Sequence, residues 1–316
     1  MRYSTQAQSE VYLSIIVPVY CAEKSIAKLT DGLAATFQHI NYEIILVNDC
    51  SRDNSWEILR QLSYKDSRIK SVNLAKNSGQ HAATLCGISI AKGNWIGTID
   101  DDLEQSPSSL HDILNRIEIS SCDVIYGIYE ESTHAFWRTL SSKLVRLVLR
   151  QSVGGFVENF TSLRVIRGSV ARKILTFNSS FPFIDGYLSW VTNSFLFHNV
   201  NHFARYSGQS GYKLYSLLSL ITNILVGFSD LPLKFVVFLG LFMSTIGFLW
   251  LTGILFLKLI GVIQLAGYTS LMAALLTLLG IQLLILGILG IYLTRLVFNA
   301  SNKPNFIVRE TINLNS

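Results

Sequence analysis

Two long stretches without any charged residue constrain this chain more than any other feature of its sequence. No Asp, Glu, Lys or Arg occurs at 235–257, and a second such stretch occupies 259–294. About 20 residues of helix, at roughly 1.5 Å of rise per residue, cross the hydrocarbon core of a bilayer. We therefore expect two transmembrane helices, at about 234–258 and 270–294, joined by a short turn.

The rest of the chain has the composition of a globular domain. Only 15% of the 316 residues are charged, but the deficit is concentrated in the two apolar stretches. The polar start, MRYSTQAQSEVYLS, lacks the pattern of a signal peptide. We expect a globular domain at 1–211, a juxtamembrane amphipathic helix at 212–233, the membrane hairpin at 234–295 and a cytoplasmic tail at 296–316.

Basic residues flank the expected hairpin at both of its ends, at Lys213, Lys234, Arg295, Lys303 and Arg309. Cytoplasmic loops carry an excess of Lys and Arg, so we expect a multi-pass protein of the inner membrane with its large domain in the cytoplasm. The net charge of +5 suits an anionic membrane surface. It is too dispersed to indicate a nucleic-acid partner.

Short apolar runs alternate with helix-like segments over the first 130 residues. Strands are predicted at 13–19, 43–48, 69–75 and 95–99, with helices between them. This alternation predicts an α/β fold with a mostly parallel sheet, and such sheets bind ligands at the carboxyl ends of their strands. That edge collects Tyr20, Glu23, Asn48, Asp49, Lys76, Asn77 and the residues from Asp100 to Glu104.

The acidic stretch GNWIGTIDDDLEQSP, residues 93–107, lies at this edge. Like charges at the end of a buried strand repel one another and resist desolvation, which points to a bound positive group. Asp100 and Asp102 alternate along the chain, and carboxylates are the ligands that Mg²⁺ and Mn²⁺ prefer. The alternative is a solvated helix cap, formed by Asp102 or Ser106 ahead of a helix at 107–119.

Basic and apolar residues share helical spacing at 135–152, which predicts a basic amphipathic helix. The two apolar stretches downstream favour an interfacial position for it, and an ordinary surface helix is the alternative. Cys21, Cys50, Cys86 and Cys122 have no C-x-x-C spacing and are expected to be reduced. His198 and His202 are four residues apart, but no further ligand lies near them in sequence, so a zinc site is disfavoured.

The order of several segments along the chain is that of a known enzyme family. The segments are SIIVPVYCAEKSI, EIILVNDCSRDNSWEIL, NLAKNSGQHAATLCGISIAKGNWIGTIDDDLEQSP, NFTSLRVIRGSV and RYSGQSGYKLYSLLSL. With the apolar stretches that follow, they resemble the family 2 glycosyltransferases, and more narrowly the polyisoprenyl-phosphate glycosyltransferases. The closing NKPNFIVRE is similar to the tail of bacterial members. The resemblance implies a GT-A nucleotide-sugar-binding domain.

The resemblance also assigns roles to individual residues. Asp100 and Asp102 match the D-x-D pair that holds Mg²⁺ or Mn²⁺, and Glu104 stands where the family has a glutamine that helps hold it. Asp49 matches the acidic residue that contacts the nucleobase. Contacts with the nucleotide sugar and its phosphates are further expected from Pro18, Tyr20, Glu23, Lys76, Asp101, Arg164 and Arg205.

The chain departs from the family pattern at a few positions. Asn48 replaces an aspartate, and Cys21 and Ala22 replace an Asn-Glu pair, for which Glu23 is the substitute candidate. Gly211 stands where the family has a lysine.

The resemblance implies transfer of a sugar, with UDP-glucose the first choice of donor, to a polyisoprenyl phosphate. The lipid phosphate is already ionised, so a strong general base is not needed. Glu158, which stands where relatives have an aspartate, is a candidate base or a loop carboxylate paired with an arginine. Catalysis is expected from Asp102, Arg205 and Glu158, and a tetramer is expected by analogy.

Two alternatives remain. A processive polysaccharide synthase shares the GT-A domain, but the chain lacks its Q-x-x-R-W motif and its additional spans. A membrane scaffold built on a decayed transferase domain is favoured by the departures and disfavoured by the intact acidic residues.

Overall fold

The computed structural model describes residues 11–129, 160–177, 182–200, 267–300 and 303–314, with scattered positions between 236 and 260. The helices predicted at 135–152 and 212–233 lie outside the described residues. So do Glu158 and Arg205. The chain divides into unit 1, Met1–Lys213 with Asn302–Ser316, and unit 2, Leu214–Ser301.

Near-continuous apolar runs form the strands of unit 1, and most of these residues are fully buried, as in a sheet covered on both faces. The strands are β1 (Leu13–Val19), β2 (Tyr42–Asn48), β3 (Ile69–Leu74), β4 (Trp95–Thr98), β5 (Val124–Tyr129), β6 (Arg164–Arg167), β7 (Phe195–Val200) and β8 (Val308–Ile312). The predicted α/β alternation is confirmed.

The helices between the first strands present one apolar face to the sheet. Their bounds are α1 (Ile26–Phe37), α2 (Ser55–Lys65), α3 (Gln80–Ile90) and α4 (Pro107–Ser120). In α1, for example, Ile26, Leu29, Leu33 and Phe37 are buried at helical spacing. Later helices are α5 (Gly168–Lys173), which continues as a 3₁₀ turn over Ile174–Thr176, α6 (Ile184–Val191) and α7 (Tyr268–Ala300).

The eight strands form one sheet in the order β7-β5-β6-β4-β1-β2-β3-β8. β1 pairs in parallel with β2 and β4, and β2 pairs in parallel with β3. β6 and β8 run antiparallel to β4 and β3, so the sheet is mixed where the sequence predicted a mostly parallel one. The chain moves outward from β1 to β3 and then returns to β4 on the other side of β1. The boundary of β1 and β4 is therefore a topological switch point, where open α/β sheets bind ligands.

Unit 2 contributes α7, which is 33 residues long. Many of its large apolar side chains are exposed, among them Leu271, Leu278, Leu283, Leu293 and Val297. The positions described between 236 and 257 are also helical. Among the described residues, no helix combines the length and the apolarity that crossing a membrane requires.

Candidate active site

A cavity of about 320 Å³ opens at the carboxyl ends of β1, β2, β3 and β4, the edge that the sequence predicts for the ligand. Its lining comes from the end of β1, the loops that follow these strands and the first residue of α3: Pro18, Val19, Tyr20, Asp49, Asn77, Gly79, Gln80, Asp100, Asp101 and Asp102. Six of the predicted site residues thus meet at one place, although they are up to 84 positions apart in sequence.

Asp49 holds the loop that leads from β3 into α3. Its carboxylate accepts hydrogen bonds from the backbone N–H of Ser78 at 2.6 Å and of Gly79 at 2.8 Å. Gly79 has a φ of 88°, a left-handed conformation that glycine adopts without strain. Each oxygen of Asp49 keeps a lone pair for a further donor, so the carboxylate organises the loop and still faces the cavity.

Three neutral side chains fix the carboxylate of Asp100. Gln80 Nε2 donates to Oδ1 at 2.6 Å, while Ser162 Oγ and Gln105 Nε2 donate to Oδ2 at 2.5 and 3.3 Å. Gln105 also accepts the backbone N–H of Asp100 at 3.1 Å. These three residues were not predicted as site residues. Ser162 comes to Asp100 only because β6 pairs antiparallel with β4, with Thr98 opposite Arg164.

The loop after Asp100 turns the next two carboxylates towards the cavity. Asp101 Oδ2 accepts the backbone N–H of Tyr20 at 2.9 Å, which ties the loop after β4 to the loop after β1. Asp102 Oδ1 accepts the backbone N–H of Glu104 at 3.1 Å. Leu103 between them has a φ of 65°, an uncommon conformation for a side chain of this type. The helix cap is made by Ser106, whose Oγ accepts the N–H of Ser109 at 3.1 Å.

Crowding and burial raise the pKa values of the Asp100 and Asp101 carboxyl groups. Burial raises the pKa of Asp100 to about 6, and the charges of Asp102 and Glu104 act in the same direction, against the Ser162 hydrogen bond and Arg164. Burial likewise raises the pKa of Asp101 to about 7, with further contributions from Asp100 and Asp102. Among the described residues, no Lys or Arg forms an ion pair with Asp100 or Asp101.

The donor set fits a hard divalent cation. Asp100 and Asp102 present carboxylate oxygens to one cavity, and positive charge there would relieve both their burial and their mutual repulsion. In the part of the chain that the structure describes, no three Asp, Glu, His or Cys side chains form a metal-binding group. A cation on two protein carboxylates has open positions for phosphate oxygens, as Mg²⁺ at phosphate sites usually does.

Arg164 lies behind the cavity rather than in its lining. Its guanidinium is buried and forms an ion pair with Asp185, and Tyr126 donates its hydroxyl to the same carboxylate at 2.8 Å. Burial alone would lower the pKa of Arg164, but Asp185 and Tyr126 raise it above its ordinary value. Arg164 Nε also donates to Thr98 Oγ1 at 3.2 Å, so its charge is held next to the end of β4.

The remaining predicted site residues have different surroundings. Glu23 is tied to the loop before α2, since its Oε2 accepts the N–H of Asn54 at 3.1 Å and its own N–H donates to Asp53 at 3.2 Å. Lys76 is exposed beside Asn77 but does not line the cavity. Glu104 follows the acidic loop and is also outside the lining.

Cys21 and Ala22, which replace the family's Asn-Glu pair, are held by hydrogen bonds from their backbone N–H groups. The N–H of Cys21 donates to Ser51 Oγ at 3.0 Å and that of Ala22 donates to Ser55 Oγ at 2.9 Å. These bonds fasten the loop after β1 to the loop after β2, and they do not depend on the side chains at 21 and 22.

An acidic cavity at the switch point of a doubly covered sheet defines an α/β enzyme that binds a nucleotide or a similar phosphate ligand. The family model described as "Glycosyl transferase family 2" matches residues 14–177, and the chain belongs to this family. It is thus a glycosyltransferase that uses a nucleotide sugar, as the resemblance implied.

Two relatives match nearly the whole chain. An "uncharacterized glycosyltransferase YkcC" of Bacillus subtilis is 30% identical over 312 residues, covering 95% of this chain and 94% of that protein. An undecaprenyl-phosphate 4-deoxy-4-formamido-L-arabinose transferase of Pseudomonas aeruginosa is 31% identical over 310 residues, covering 95% and 90%.

A solved structure supports the fold. Glucosyl-3-phosphoglycerate synthase from Mycobacterium tuberculosis, in complex with Mn²⁺, UDP and phosphoglyceric acid, superposes with a TM-score of 0.51 at 14% sequence identity. The match covers 69% of this chain and 77% of that one. This similarity identifies the α/β fold of unit 1 as GT-A-like.

Proposed function

We propose that the protein transfers a sugar from a UDP-sugar, with UDP-glucose the first candidate, to a polyisoprenyl phosphate such as undecaprenyl phosphate. The observation that carries the donor half of the proposal is the group of three carboxylates, Asp100, Asp101 and Asp102, in the switch-point cavity of a family 2 chain. The acceptor half is supported by the Pseudomonas aeruginosa relative, which is named for undecaprenyl phosphate and aligns over 95% of this chain.

In this proposal, Asp100 and Asp102 hold Mg²⁺ or Mn²⁺ together with the diphosphate of the donor. When bound there, such a cation would supply positive charge against the negative charge that develops on the leaving nucleoside diphosphate. Gln80, Ser162 and Gln105 keep Asp100 in one orientation, so that its ligand oxygens need no reorganisation during the reaction.

Recognition of the nucleoside is assigned to the other side of the cavity. The carboxylate of Asp49 is buried and fixed by two backbone N–H groups, and it has lone pairs for an N–H of the base. Pro18, near the end of β1, and Tyr20, directly after that strand, line the same cavity. Lys76 and Arg205 are proposed to contact the phosphates or the base.

Attack by a lipid phosphate requires less of the protein than attack by a hydroxyl group. The phosphate oxygen is ionised near neutral pH, so it can displace the nucleoside diphosphate from the anomeric carbon without first losing a proton to a strong base. One in-line displacement inverts the anomeric configuration. Glu158 is retained as a candidate base, although this chemistry does not require one.

We also propose that the stretches at about 234–258 and 270–294 insert into the inner membrane as a hairpin. Support comes from their lack of charge and from the exposed apolar side chains of α7. The chain leaves unit 1 after Lys213 and resumes it at Asn302, where β8 follows. Two crossings return a chain to its starting side, which agrees with the cytoplasmic side that flanking Lys and Arg residues indicate.

The test uses the full-length protein in detergent with Mn²⁺, undecaprenyl phosphate and a panel of radiolabelled nucleotide sugars. We expect label from one UDP-sugar in the organic phase, dependent on metal and on undecaprenyl phosphate. If no donor labels the lipid while an active relative does so under the same conditions, the acceptor proposal fails. Metal-independent binding without transfer would instead favour the decayed scaffold.

A further inference from the structure

The last strand of the sheet comes from the far end of the chain. After α7 ends at Ala300, seven residues lead to β8, which pairs antiparallel with β3 from Ser71 to Leu74. The sequence predicted only a cytoplasmic tail at 296–316. Unit 1 therefore receives its outermost strand from residues on the opposite side of unit 2 in sequence.

The pairing of β8 with β3 contains a bulge next to the cavity loops. Asn73 lies opposite Glu310 and Leu74 lies opposite Val308, so Arg309 is an extra residue without a partner in β3. Bulges bend a strand and redirect a side chain, and they are frequent beside active sites. Here the Arg309 guanidinium is directed to the end of β3, where Nη2 donates to the carbonyl oxygen of Ala75 at 3.0 Å.

Both polar backbone groups of Ala75 are bound by the β8 segment. The N–H of Ala75 donates to the carbonyl of Ile307 at 2.7 Å, and its carbonyl accepts from Arg309. Ala75 is the first residue after β3, so these two bonds set the direction in which the loop to α3 begins.

That loop is the one that Asp49 holds. Within four residues of Ala75, the N–H groups of Ser78 and Gly79 reach the Asp49 carboxylate, and Asn77 Nδ2 donates to the Asp49 carbonyl at 3.3 Å. Asn77 and Gly79 also line the cavity. The bond from Arg309 to Ala75 and the bonds from the loop to Asp49 are thus joined by a few residues of backbone. Together they connect Arg309 with the proposed nucleoside contact.

We propose that β8 is part of the nucleotide-sugar site and that Arg309 is its positioning residue, which fixes the loop from Ala75 to Gly79 around Asp49. This inference rests on the proposed function, because it takes the cavity to be the donor site. Arg309 is exposed and forms no ion pair among the described residues, so surface charge pairing does not account for its orientation.

The experiment compares substitutions at Arg309 in the full-length protein. Arg309→Met keeps the apolar stem and removes the donor, while Arg309→Gln keeps an N–H donor without the charge. Arg68→Met is the matched control, because Arg68 is an exposed arginine at the opposite end of β3, paired with Asp66. UDP binding is measured by calorimetry with Mn²⁺, and amide hydrogen exchange is followed in peptides spanning 75–80.

We expect Arg309→Met to weaken UDP binding by about tenfold, as loss of one positioning hydrogen bond does. Exchange in the 75–80 peptides should accelerate in the same variant, with the strand peptides of β2 unchanged. Arg309→Gln should stay within about threefold of wild type, since its amide can donate to the same carbonyl. Arg68→Met should match wild type in both measurements. In the transfer assay, KM for the donor should rise more than kcat falls.

Several outcomes separate this inference from the proposed function. Wild type that binds no UDP would contradict the donor proposal, whereas exchange at 75–80 would still report on Arg309 without any nucleotide. Unchanged affinity and unchanged exchange in Arg309→Met would overturn the inference. Equal losses in Arg309→Gln and Arg309→Met would show that charge, not the bond to Ala75, matters, and would overturn it as well. If Arg309→Met did not fold, Arg309→Gln would decide, because a tenfold loss there contradicts the positioning role.

Discussion

The sheet of unit 1 has a buried carboxylate, Glu43, at the amino ends of its strands and the partly buried carboxylates of Asp100 and Asp101 at the carboxyl ends, and the two sets have different partners. At the amino ends of the strands, Glu43 forms an ion pair with Lys70 at 2.5 Å and accepts hydrogen bonds from Ser14 Oγ at 2.6 Å and Lys92 N at 2.7 Å. At the carboxyl ends, Asp100 and Asp101 are bound by neutral donors and have raised pKa values.

The difference distinguishes a carboxylate that serves the fold, Glu43, from the carboxylates of the candidate site. A chain that needs only stability neutralises a buried carboxylate with a partner of opposite charge, as Lys70 does for Glu43. Placing several carboxylates together costs stability, and among the described residues no Lys or Arg forms an ion pair with Asp100 or Asp101, so the arrangement is informative about a ligand. In the proposed function, a divalent cation and the substrate phosphates would complete the carboxyl-end site.

The largest effect is expected at the carboxyl end. Asp102→Asn should reduce sugar transfer by at least about a thousandfold, because it removes a metal ligand and with it stabilisation of the leaving group. The melting temperature should stay the same or rise, since the substitution relieves repulsion with Asp100. Label transfer and thermal unfolding of the same preparation measure both quantities.

Asp112→Asn is the control for that substitution, because Asp112 is exposed on α4 and should tolerate the change. Retention of more than a tenth of wild-type transfer by Asp102→Asn would contradict the assignment of Asp102 as a metal ligand.

The opposite result is expected at the amino end. Glu43→Gln should lower the free energy of unfolding by about 3 kcal/mol, because Lys70 is left as an uncompensated buried charge. Transfer measured well below the melting temperature should remain within about fivefold of wild type. Denaturant unfolding and the transfer assay provide the comparison.

A second substitution sharpens this test. Glu43→Gln combined with Lys70→Met removes both charges and should recover a large part of the lost stability. If Glu43→Gln is as stable as wild type, the contrast between the two ends of the sheet is wrong.

A smaller effect is expected from the neutral donors that orient Asp100. Ser162→Ala removes the 2.5 Å hydrogen bond to Oδ2, and the Mn²⁺ concentration for half-maximal transfer should rise by about 10- to 30-fold, as for other residues that orient metal ligands. Ser120→Ala serves as a control, because Ser120 is the last residue of α4 and donates to a carbonyl of its own helix rather than to Asp100. An unchanged metal requirement in Ser162→Ala would argue that Asp100 needs no orientation.

The smallest predicted effect concerns pH and the largely buried His81. Burial lowers the pKa of His81 to about 4, with Asp185 opposing the shift and Arg164 adding to it. The unfolded chain, with an ordinary His pKa of about 6.5, then binds more protons than the folded chain between those values. The free energy of unfolding should therefore fall as pH is lowered from about 6.5 to about 4 as this residue titrates in the unfolded chain, and it should not vary with this residue above about 6.5.

His81→Phe isolates this contribution from the acidic residues that titrate over the same range. A phenylalanine would keep the edge-on packing of ring 81 against Phe183, whose centroid lies 5.3 Å away. The difference in unfolding free energy between the two proteins should change with pH in this window. A constant difference would show that His81 is not held neutral by burial.

The sequence predicted the parts of unit 1 that local patterns determine. Apolar runs predicted β1 to β4. The rule that ligands bind at the carboxyl ends of parallel strands placed Tyr20, Asp49 and Asp100 at one edge of the sheet, and all three line the cavity. The alternating spacing of Asp100 and Asp102 indicated a metal-ligand role for Asp102, which stays a prediction, and the family resemblance added Pro18.

Contacts that depend on long-range strand pairing could not be predicted from the sequence. Ser162 reaches Asp100 through the antiparallel register of β6 and β4, and Arg309 reaches Ala75 through the bulge in β8. Neither pairing register can be predicted from the local hydrophobic periodicity of the sequence. Arg164 was expected to contact substrate, and only the structure places its charge in an ion pair with Asp185.

Manganese binding, followed by the loss of the free Mn²⁺ signal in electron paramagnetic resonance, tests the central contrast most directly. Wild type, Asp102→Asn and Glu43→Gln are titrated with Mn²⁺ in the presence of UDP, at a temperature where all three are folded. We predict one bound Mn²⁺ per chain in wild type and in Glu43→Gln, and binding weakened at least about a hundredfold in Asp102→Asn. Equal Mn²⁺ binding by Asp102→Asn and wild type would contradict the claim that the carboxyl-end carboxylates hold a metal.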